Sequence, residues 1–242
     1  MPHFLIDSSI IKDKTIIKDS VLYKHIIKSM RMKQGEKVLF IDEKEIQYET
    51  VITDIQKDCF SVAIINSYPS KRKLPLKLYA AQSVLNSDDQ LSAVKKASEL
   101  GAKGIIPLYT DNCAVKEDVI KSKIPKWQKI AAEAFKQCER ADMPKVFEMS
   151  YIKDVIKNFD RAIVFAEKYT DTNFFQYIKE HPVDKTQSIL VITGPEGGFS
   201  EKEFDFFKAE NLPLITLGNL IYRADTALAA ALTSVISGVL YA

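Results

Sequence analysis

Residues 188–203 read SILVITGPEGGFSEKE, and this stretch decides the fold of the chain. The run Ser188–Thr193 is rich in β-branched residues and lacks polar alternation, which predicts a strand buried on both faces of a parallel sheet. The loop Gly194–Gly198 follows and holds three of the chain's 8 glycines. Ser200 and Glu203 then match a capping box, so we expect a helix to begin there.

The glycine-rich loop has two interpretations. In open α/β sheets, ligands collect beyond the carboxyl ends of strands, whereas glycines can also serve only the geometry of a tight turn. A second unit favours a ligand site: the apolar run Leu214–Leu217 precedes Gly218, and a long Ala-rich helix runs from Asp225 to about Leu240. Two such loops at one sheet edge would suit a ligand with an aromatic base, ribose hydroxyls and a charged tail.

Composition limits the possible functions. The 242 residues suffice for one large domain or two smaller ones, and 46% of them are hydrophobic, enough for a sizeable core. Lys and Arg number 34 against 32 Asp and Glu, which gives a net charge of +2. A global basic field is therefore excluded, and any contact with nucleic acid must come from local patches.

Several common sites are missing from the sequence. The three cysteines, Cys59, Cys113 and Cys138, form no CxxC pair, and the three histidines lie in unrelated contexts. Dinucleotide-binding, P-loop and GxSxG motifs do not occur. The N-terminus lacks the apolar core of a signal peptide, and we expect no membrane-spanning run. We therefore expect a cytoplasmic protein without a metal.

The chain divides into two kinds of pattern. Residues 1–70 are β-rich with one helical stretch, Asp19–Met30, and predict a small β-barrel-like module. Residues 71–75 form the expected linker, and residues 76–242 alternate strands with helices, which predicts an α/β domain with a parallel sheet. One of these helices is expected over Pro125–Arg140, with Pro in the first turn.

Polar and basic residues provide weaker signals. On the predicted 125–140 helix, Glu133, Gln137 and Arg140 share one stripe, either a surface ladder or the wall of a groove. The basic residues fit either phosphate contacts or ordinary solvated charge. They are His25 and Arg31 near the first helix, and Lys71, Arg72 and Lys73 in the linker.

The final helix is apolar or small nearly all round. Leu228, Leu232 and Val235 belong to a wide apolar arc, and Ser234 and Gly238 lie on the remaining arc. A helix of this kind is buried. As the last element of the chain it could be covered by a second copy, so we expect a homodimer formed through this helix.

Five motifs in order resemble the bacterial 16S ribosomal RNA uridine-N3 methyltransferase family of the SPOUT superfamily. They are YKHIIKSMRMKQGEKV (23–38), KASELGAKGIIPL (96–108), WQKIAAEAFKQCER (127–140), TGPEGGFSEKE (193–203) and LGNLIYRADTALAAA (217–231). The resemblance spans nearly the whole chain. It implies a PUA-like, RNA-binding β-barrel over residues 1–70 and a SPOUT parallel-sheet domain over residues 76–242. It also implies a deep trefoil knot at about 189–232.

The resemblance also implies a cofactor and partners. S-adenosyl-L-methionine would lie in the knot, the substrate would be 16S rRNA or the small ribosomal subunit, and family members are homodimers. The cofactor would be lined by Thr193, Gly194, Pro195, Glu196, Gly197, Gly198, Leu217, Gly218, Leu220, Tyr222, Arg223 and Thr226. The RNA would be contacted by His25, Arg31, Lys71, Arg72, Lys73, Gln137 and Arg140.

Methyl transfer to N3 of uridine requires loss of the N3 proton. We expect Arg223 to stabilise the uracil anion as a permanently charged, forked donor, and Glu133 to be the leading candidate for the base. The family usually has Glu where this chain has Asp225, which is shorter and a good helix N-cap. Two alternatives remain: a non-catalytic RNA-binding protein of this fold, or methylation of another base or atom.

Overall fold

The computed structural model describes residues 3–12 and 14–241, which form two compact units. The first unit contains the residues up to Lys73 together with Glu139–Asp142, and the second contains Leu74–Cys138 and the residues from Met143 onward. Each unit has its own buried core.

The first unit is the expected β-rich module. Its strands are β1 (His3–Leu5), β2 (Lys14–Ile17), β3 (Lys37–Ile41), β4 (Ile46–Ile55) and β5 (Phe60–Pro69). They form one sheet in the order β1-β3-β4-β5-β2, in which β1 and β3 run parallel and the other neighbours antiparallel. Asp19 caps the short helix α1 (Ser20–Tyr23), which continues as a π-helical turn over Lys24–Ser29, so the predicted helical stretch is confirmed.

The second unit is a parallel α/β sheet with helices on both faces, as predicted. Its strands are β6 (Lys77–Ser83), β7 (Gly104–Leu108), β8 (Lys145–Val146), β9 (Arg161–Phe165), β10 (Ser188–Thr193) and β11 (Leu214–Ile215). Its helices are α2 (Ser87–Glu99), α3 (Glu117–Gln137), α4 (Ile152–Val155), α5 (Phe174–Glu180), α6 (Glu201–Ala209) and α7 (Ala224–Tyr241). The strand order is β11-β9-β10-β6-β7-β8, and every pairing is parallel.

Alternate side chains of β10 enter two different cores, which explains its uninterrupted apolar sequence. Ile189 and Val191 join the cluster that holds residues of α2, α3, α5 and α7. Leu190 and Ile192 join the cluster on the opposite face, with residues of α4 and α6. Because both faces are covered, the four central positions Ile189–Ile192 are apolar, and the polar residues Ser188 and Thr193 lie at the two ends of the strand.

The expected bounds of the third helix are wrong. The helix begins at Glu117, so Pro125 lies inside it rather than in its first turn. Ile120 and Ile124 are buried, and this apolar face, which continues upstream of the proline, holds the extra turns in place. The helix also ends at Gln137, and therefore Arg140 does not share a helical stripe with Glu133.

The last helix, α7, is a core helix of the second unit. It packs against α2, α5, β6 and β10, and Leu228, Leu232 and Val235 are fully buried. Among the described helices, it alone has the length and hydropathy of a membrane-crossing segment, contrary to our expectation that no run would reach that length. Asp225 lies inside the first turn, so its expected role as N-cap is wrong.

Candidate functional site

A cavity of about 220 Å³ lies where β9, β10 and β11 end. The carboxyl ends of parallel strands meet at one edge of a sheet, and this is where α/β proteins bind ligands. The cavity is lined by the expected residues Thr193, Gly194, Pro195, Glu196, Gly197, Gly198, Leu217, Gly218, Leu220 and Tyr222. The structure therefore brings the two loops together around one space.

The first pocket loop, Gly194–Gly198, is held by the buried side chain of Gln82 at the end of β6. Nε2 of Gln82 donates to the carbonyl oxygen of Gly194 at 2.8 Å, and Oε1 accepts from Oγ1 of Thr193 at 2.6 Å. Gln82 is fully buried. Because both the nitrogen and the oxygen of this buried amide are hydrogen-bonded to the start of the loop, they hold it in one position.

Two further side chains hold the rest of the first pocket loop. Oε1 of Glu196 accepts the backbone N–H of Asn86 at 2.9 Å, so this carboxylate ties the loop to the start of α2. Nδ2 of Asn112 donates to the carbonyl oxygen of Gly198 at 3.0 Å and lies 3.3 Å from that of Gly197. A Cβ on Gly197 would lie only 3.2 Å from Cβ of Asn112, so the close approach favours glycine.

The helix after this loop begins as the sequence predicts. Ser200 and Glu203 form a complete capping box at the start of α6. Oγ of Ser200 also donates to Asp111 at 2.6 Å, which connects α6 to the loop after β7. Burial raises the pKa of the Glu203 carboxyl, and the N–H groups of Ser200 and Asp111 act in the opposite direction.

The second pocket loop, Leu217–Tyr222, is held differently. Gly218 has φ of +106°, a backbone conformation that favours glycine, and its N–H donates to Oγ1 of Thr216 at 3.1 Å. Leu220 and Ile221 are 70% and 85% exposed although both also line the cavity. The tip of the loop is therefore apolar and open to solvent.

The far end of the second pocket loop is anchored on α2. The guanidinium of Arg223 forms an ion pair with Asp89, and the buried carboxylate of Asp225 pairs with Lys96 at 2.6 Å. Oγ of Ser92 donates to the same oxygen of Asp225 at 2.7 Å. Burial opposes ionisation of Asp225. The hydrogen bonds from Lys96 and Ser92 and the positive charge of Lys96 outweigh this effect, so the pKa of the carboxyl is lowered.

A third wall of the cavity was missed by the sequence analysis. Residues 166–168, which follow β9, line the cavity together with Phe165 at the strand's end. Phe165 lies beside Thr193 in the parallel register of β9 and β10. Since Arg161–Phe165 was predicted as a strand of the same sheet, its following loop could have been placed at the same edge. The loop adds the carboxylate of Glu167 and the ammonium of Lys168.

Several predicted residues lie elsewhere. Arg223 and Thr226 adjoin the lining residues Tyr222, Ala224 and Ala227 but are not themselves in the lining. Glu133 and Gln137 are exposed on α3. Arg140 is buried in the first unit and pairs with Asp142 at 3.0 Å.

The predicted basic residues all belong to the first unit. His25, Arg31 and Lys71 are exposed, and Arg31 has a positive φ of 56°. Arg72 forms an ion pair with Glu139, and Lys73 forms one with Glu45. Within residues 3–12 and 14–241, no group of three or more His, Cys, Asp or Glu is placed to hold a metal ion.

Two family models match the chain. The family model of the RNA methyltransferase domain matches residues 72–236, which include both pocket loops. The chain belongs to the RNA methyltransferase family. A second model, the RNA methyltransferase PUA domain, matches residues 22–65 within the first unit. The predicted PUA-like N-terminal domain is thereby confirmed.

Individual members of the RNA methyltransferase family match nearly the full length. The Ribosomal RNA small subunit methyltransferase E of Bacillus subtilis is 29% identical over 219 residues, which cover 87% of this chain and 85% of that protein. The protein of that name from Rickettsia conorii is 27% identical, with 95% and 93% covered. The crystal structure of the Neisseria gonorrhoeae protein of that name, bound to S-adenosyl methionine, has the same fold. Its TM-score is 0.81 at 21% identity, with 97% and 96% covered.

Proposed function

We propose that this RNA methyltransferase transfers the methyl group of S-adenosyl-L-methionine to N3 of a uridine in the 16S RNA of the small ribosomal subunit. The observation that carries the proposal is the meeting of the two pocket loops around one cavity inside the matched methyltransferase domain. The names of the relatives from Bacillus subtilis and Rickettsia conorii support the small-subunit RNA as substrate.

The residues around the cavity fit a nucleoside with a charged tail. Leu217, Leu220 and Ile221 offer apolar contacts to an aromatic base, and the first pocket loop offers a close, glycine-lined backbone. Glu167 places a carboxylate at the rim, a group suited to ribose hydroxyls or an ammonium. When bound, S-adenosyl-L-methionine supplies an electrophilic methyl group on a sulfonium.

The chain's own residues then need to orient the uridine and remove its N3 proton. Most of the rate is expected from positioning and electrostatics, since methyl transfer needs little covalent help. We assign Arg223 to the stabilisation of charge on the uracil oxygens, and Glu133 remains the candidate base. Both side chains reach solvent, and Arg223 would exchange Asp89 for the substrate.

The RNA would be held by His25, Arg31, Lys71, Arg72 and Lys73 of the first unit, with the exposed Gln137 as a further contact. Arg140 is buried and paired with Asp142, so it is not among the proposed contacts. His25, Arg31 and Lys71 have exposed side chains, which supports this assignment. Arg72 and Lys73 would exchange their partly exposed carboxylate partners for phosphates. The target base must be extruded from its RNA context to reach the cavity.

The domains, knot, dimer and location belong to the same proposal. We assign residues 1–70 to RNA binding, 71–75 to a linker and 76–242 to catalysis, with a trefoil knot at about 189–232. The chain passes from β10 to the outer edge of the sheet at β11, and α7 then packs against α2, a path that suits such a knot.

A homodimer through α7 would cover the exposed end of this helix at Tyr241, and the enzyme would act in the cytoplasm.

The test combines binding with product mapping. Isothermal titration of the purified chain with S-adenosyl-L-methionine should give one site per chain. Incubation with small subunits or 16S RNA that lack the modification should then add one methyl group, located by mass mapping at N3 of a single uridine. Cofactor binding without methylation of either substrate would favour a non-catalytic RNA-binding protein, and a methyl group on another base or atom would correct the target.

A further inference from the structure

One face of α2 carries three polar residues at helical spacing. Asp89, Ser92 and Lys96 are separated by three and four residues, so they form a row along the helix. The first pairs with Arg223, and the other two bond to Asp225. The row therefore contacts both residues that flank Ala224, at the junction of the second pocket loop and α7.

The contacts to Asp225 are the best-defined part of this row. Nζ of Lys96 and Oγ of Ser92 reach the same carboxylate oxygen at 2.6 and 2.7 Å, and the Asp225 side chain is 9% exposed. A buried carboxylate is strongly destabilising when it loses its partners. Its position relative to α2 is therefore fixed within narrow limits.

Helix packing alone does not require this network. The two helices also pack together, and Val94 of α2 and Leu228 and Ala231 of α7 belong to one buried apolar cluster. Apolar residues of similar volume often stabilise a protein as well as a buried ion pair does. The network lies where α7 meets the cavity, because Ala224 and Ala227 on either side of Asp225 are lining residues.

We propose that Ser92 and Lys96 are positioning residues that, through Asp225, fix the second pocket loop in the conformation that binds the methyl donor. The proposal rests on the proposed function, since it concerns the affinity of the same cavity. It assigns to α2 a role in cofactor binding although Asp89, Ser92 and Lys96 do not line the cavity.

The experiment measures the dissociation constant of S-adenosyl-L-methionine by isothermal titration of the full chain. Asp225→Asn and Lys96→Met are each expected to weaken binding at least tenfold. The double variant should bind no more weakly than the worse single variant, because the two residues act as one unit. Asp225→Glu keeps the charge and should bind the cofactor more tightly than Asp225→Asn does. Ser92→Ala removes one hydrogen bond and should weaken binding by about two- to fivefold.

Two controls separate positioning from a general loss of stability. Glu117→Gln breaks an exposed ion pair with Lys121 on α3 and should leave the affinity unchanged. Val155→Ala, in the core on the opposite face of the sheet, should lower the melting temperature without changing the affinity. Methylation kinetics should show Asp225→Asn mainly as a higher KM for the cofactor.

The proposal is overturned if Asp225→Asn and Lys96→Met bind within twofold of the unmodified chain. It is also overturned if Val155→Ala, at an equal loss of melting temperature, weakens binding as much as they do. Failure of the proposed function would look different, because the unmodified chain would then bind no S-adenosyl-L-methionine at all.

Discussion

The two loops that form the cavity are built in opposite ways. The first pocket loop is held along its length by Gln82, Glu196 and Asn112. The second is anchored at its end, where Arg223 and Asp225 meet α2, while Leu220 and Ile221 at its tip are largely exposed. One wall of the cavity is therefore held by hydrogen bonds along its length, whereas the other is fixed at its end and leaves an apolar tip open to solvent.

The largest effect is expected from Gln82→Leu. The change leaves the carbonyl of Gly194 and the hydroxyl of Thr193 without their buried partner, at roughly 1–3 kcal/mol for each unsatisfied group. Stability in urea and affinity for S-adenosyl-L-methionine should both fall, the latter more than tenfold. The double variant with Gln82→Leu and Thr193→Val should lose less free energy of unfolding than the sum of the losses in the two single variants. Losses that add strictly would contradict an interaction between the two side chains.

The second effect is the pH dependence of the stability that Asp225 contributes at the end of the second pocket loop. The pKa of Asp225 is lowered in the folded protein, so its stabilisation is fully present above the usual carboxyl pKa of about 4. It is lost as the pH falls through the lower value of the folded state. The difference in unfolding free energy between the unmodified chain and Asp225→Asn should therefore be constant from pH 7 to 5 and shrink below pH 4. A difference that stays constant to pH 3 would contradict the assignment.

A third effect should separate the loops most clearly. Leu220→Ser changes a side chain that is 70% exposed, so the melting temperature should move by no more than about 1–2 °C. Affinity for the cofactor should nevertheless fall several-fold, because Leu220 lines the cavity. Scanning calorimetry and titration on one preparation provide the test. A large loss of stability with unchanged affinity would reverse the roles of the two loops.

The smallest effect is expected from Asn112→Ala. It removes hydrogen bonds to the carbonyls of Gly197 and Gly198 at a solvent-exposed position, where water can replace them. Cofactor affinity should fall by about two- to threefold, and Asn112→Asp, which cannot donate to a carbonyl, should match it. Full affinity in both variants would mean that Gln82 and Glu196 alone hold the first pocket loop.

Local signals in the sequence were sufficient to predict the parallel sheet and the start of the helix after β10. The uninterrupted run Ser188–Thr193 predicted burial on both faces, and Ser200 with Glu203 predicted the start of α6. These features depend on residues that are adjacent in the chain, and so their spacing carries the information.

The supporting contacts could not be predicted in the same way. Gln82 lies more than a hundred residues from Thr193, and Lys96 more than a hundred from Asp225, and nothing in their local sequence marks a partner. A proline is typical of a helix start, but the buried face upstream of Pro125 decides where α3 begins. Asp225 fitted an N-cap by residue type but makes tertiary bonds instead.

Hydrogen–deuterium exchange with and without S-adenosyl-L-methionine tests the central claim most directly. Both pocket loops should gain protection together, with the same midpoint in cofactor concentration, and the second should gain more because its tip is exposed in the free chain. Protection of one loop alone, or protection confined to residues away from 194–198 and 217–222, would contradict a single cavity formed by both.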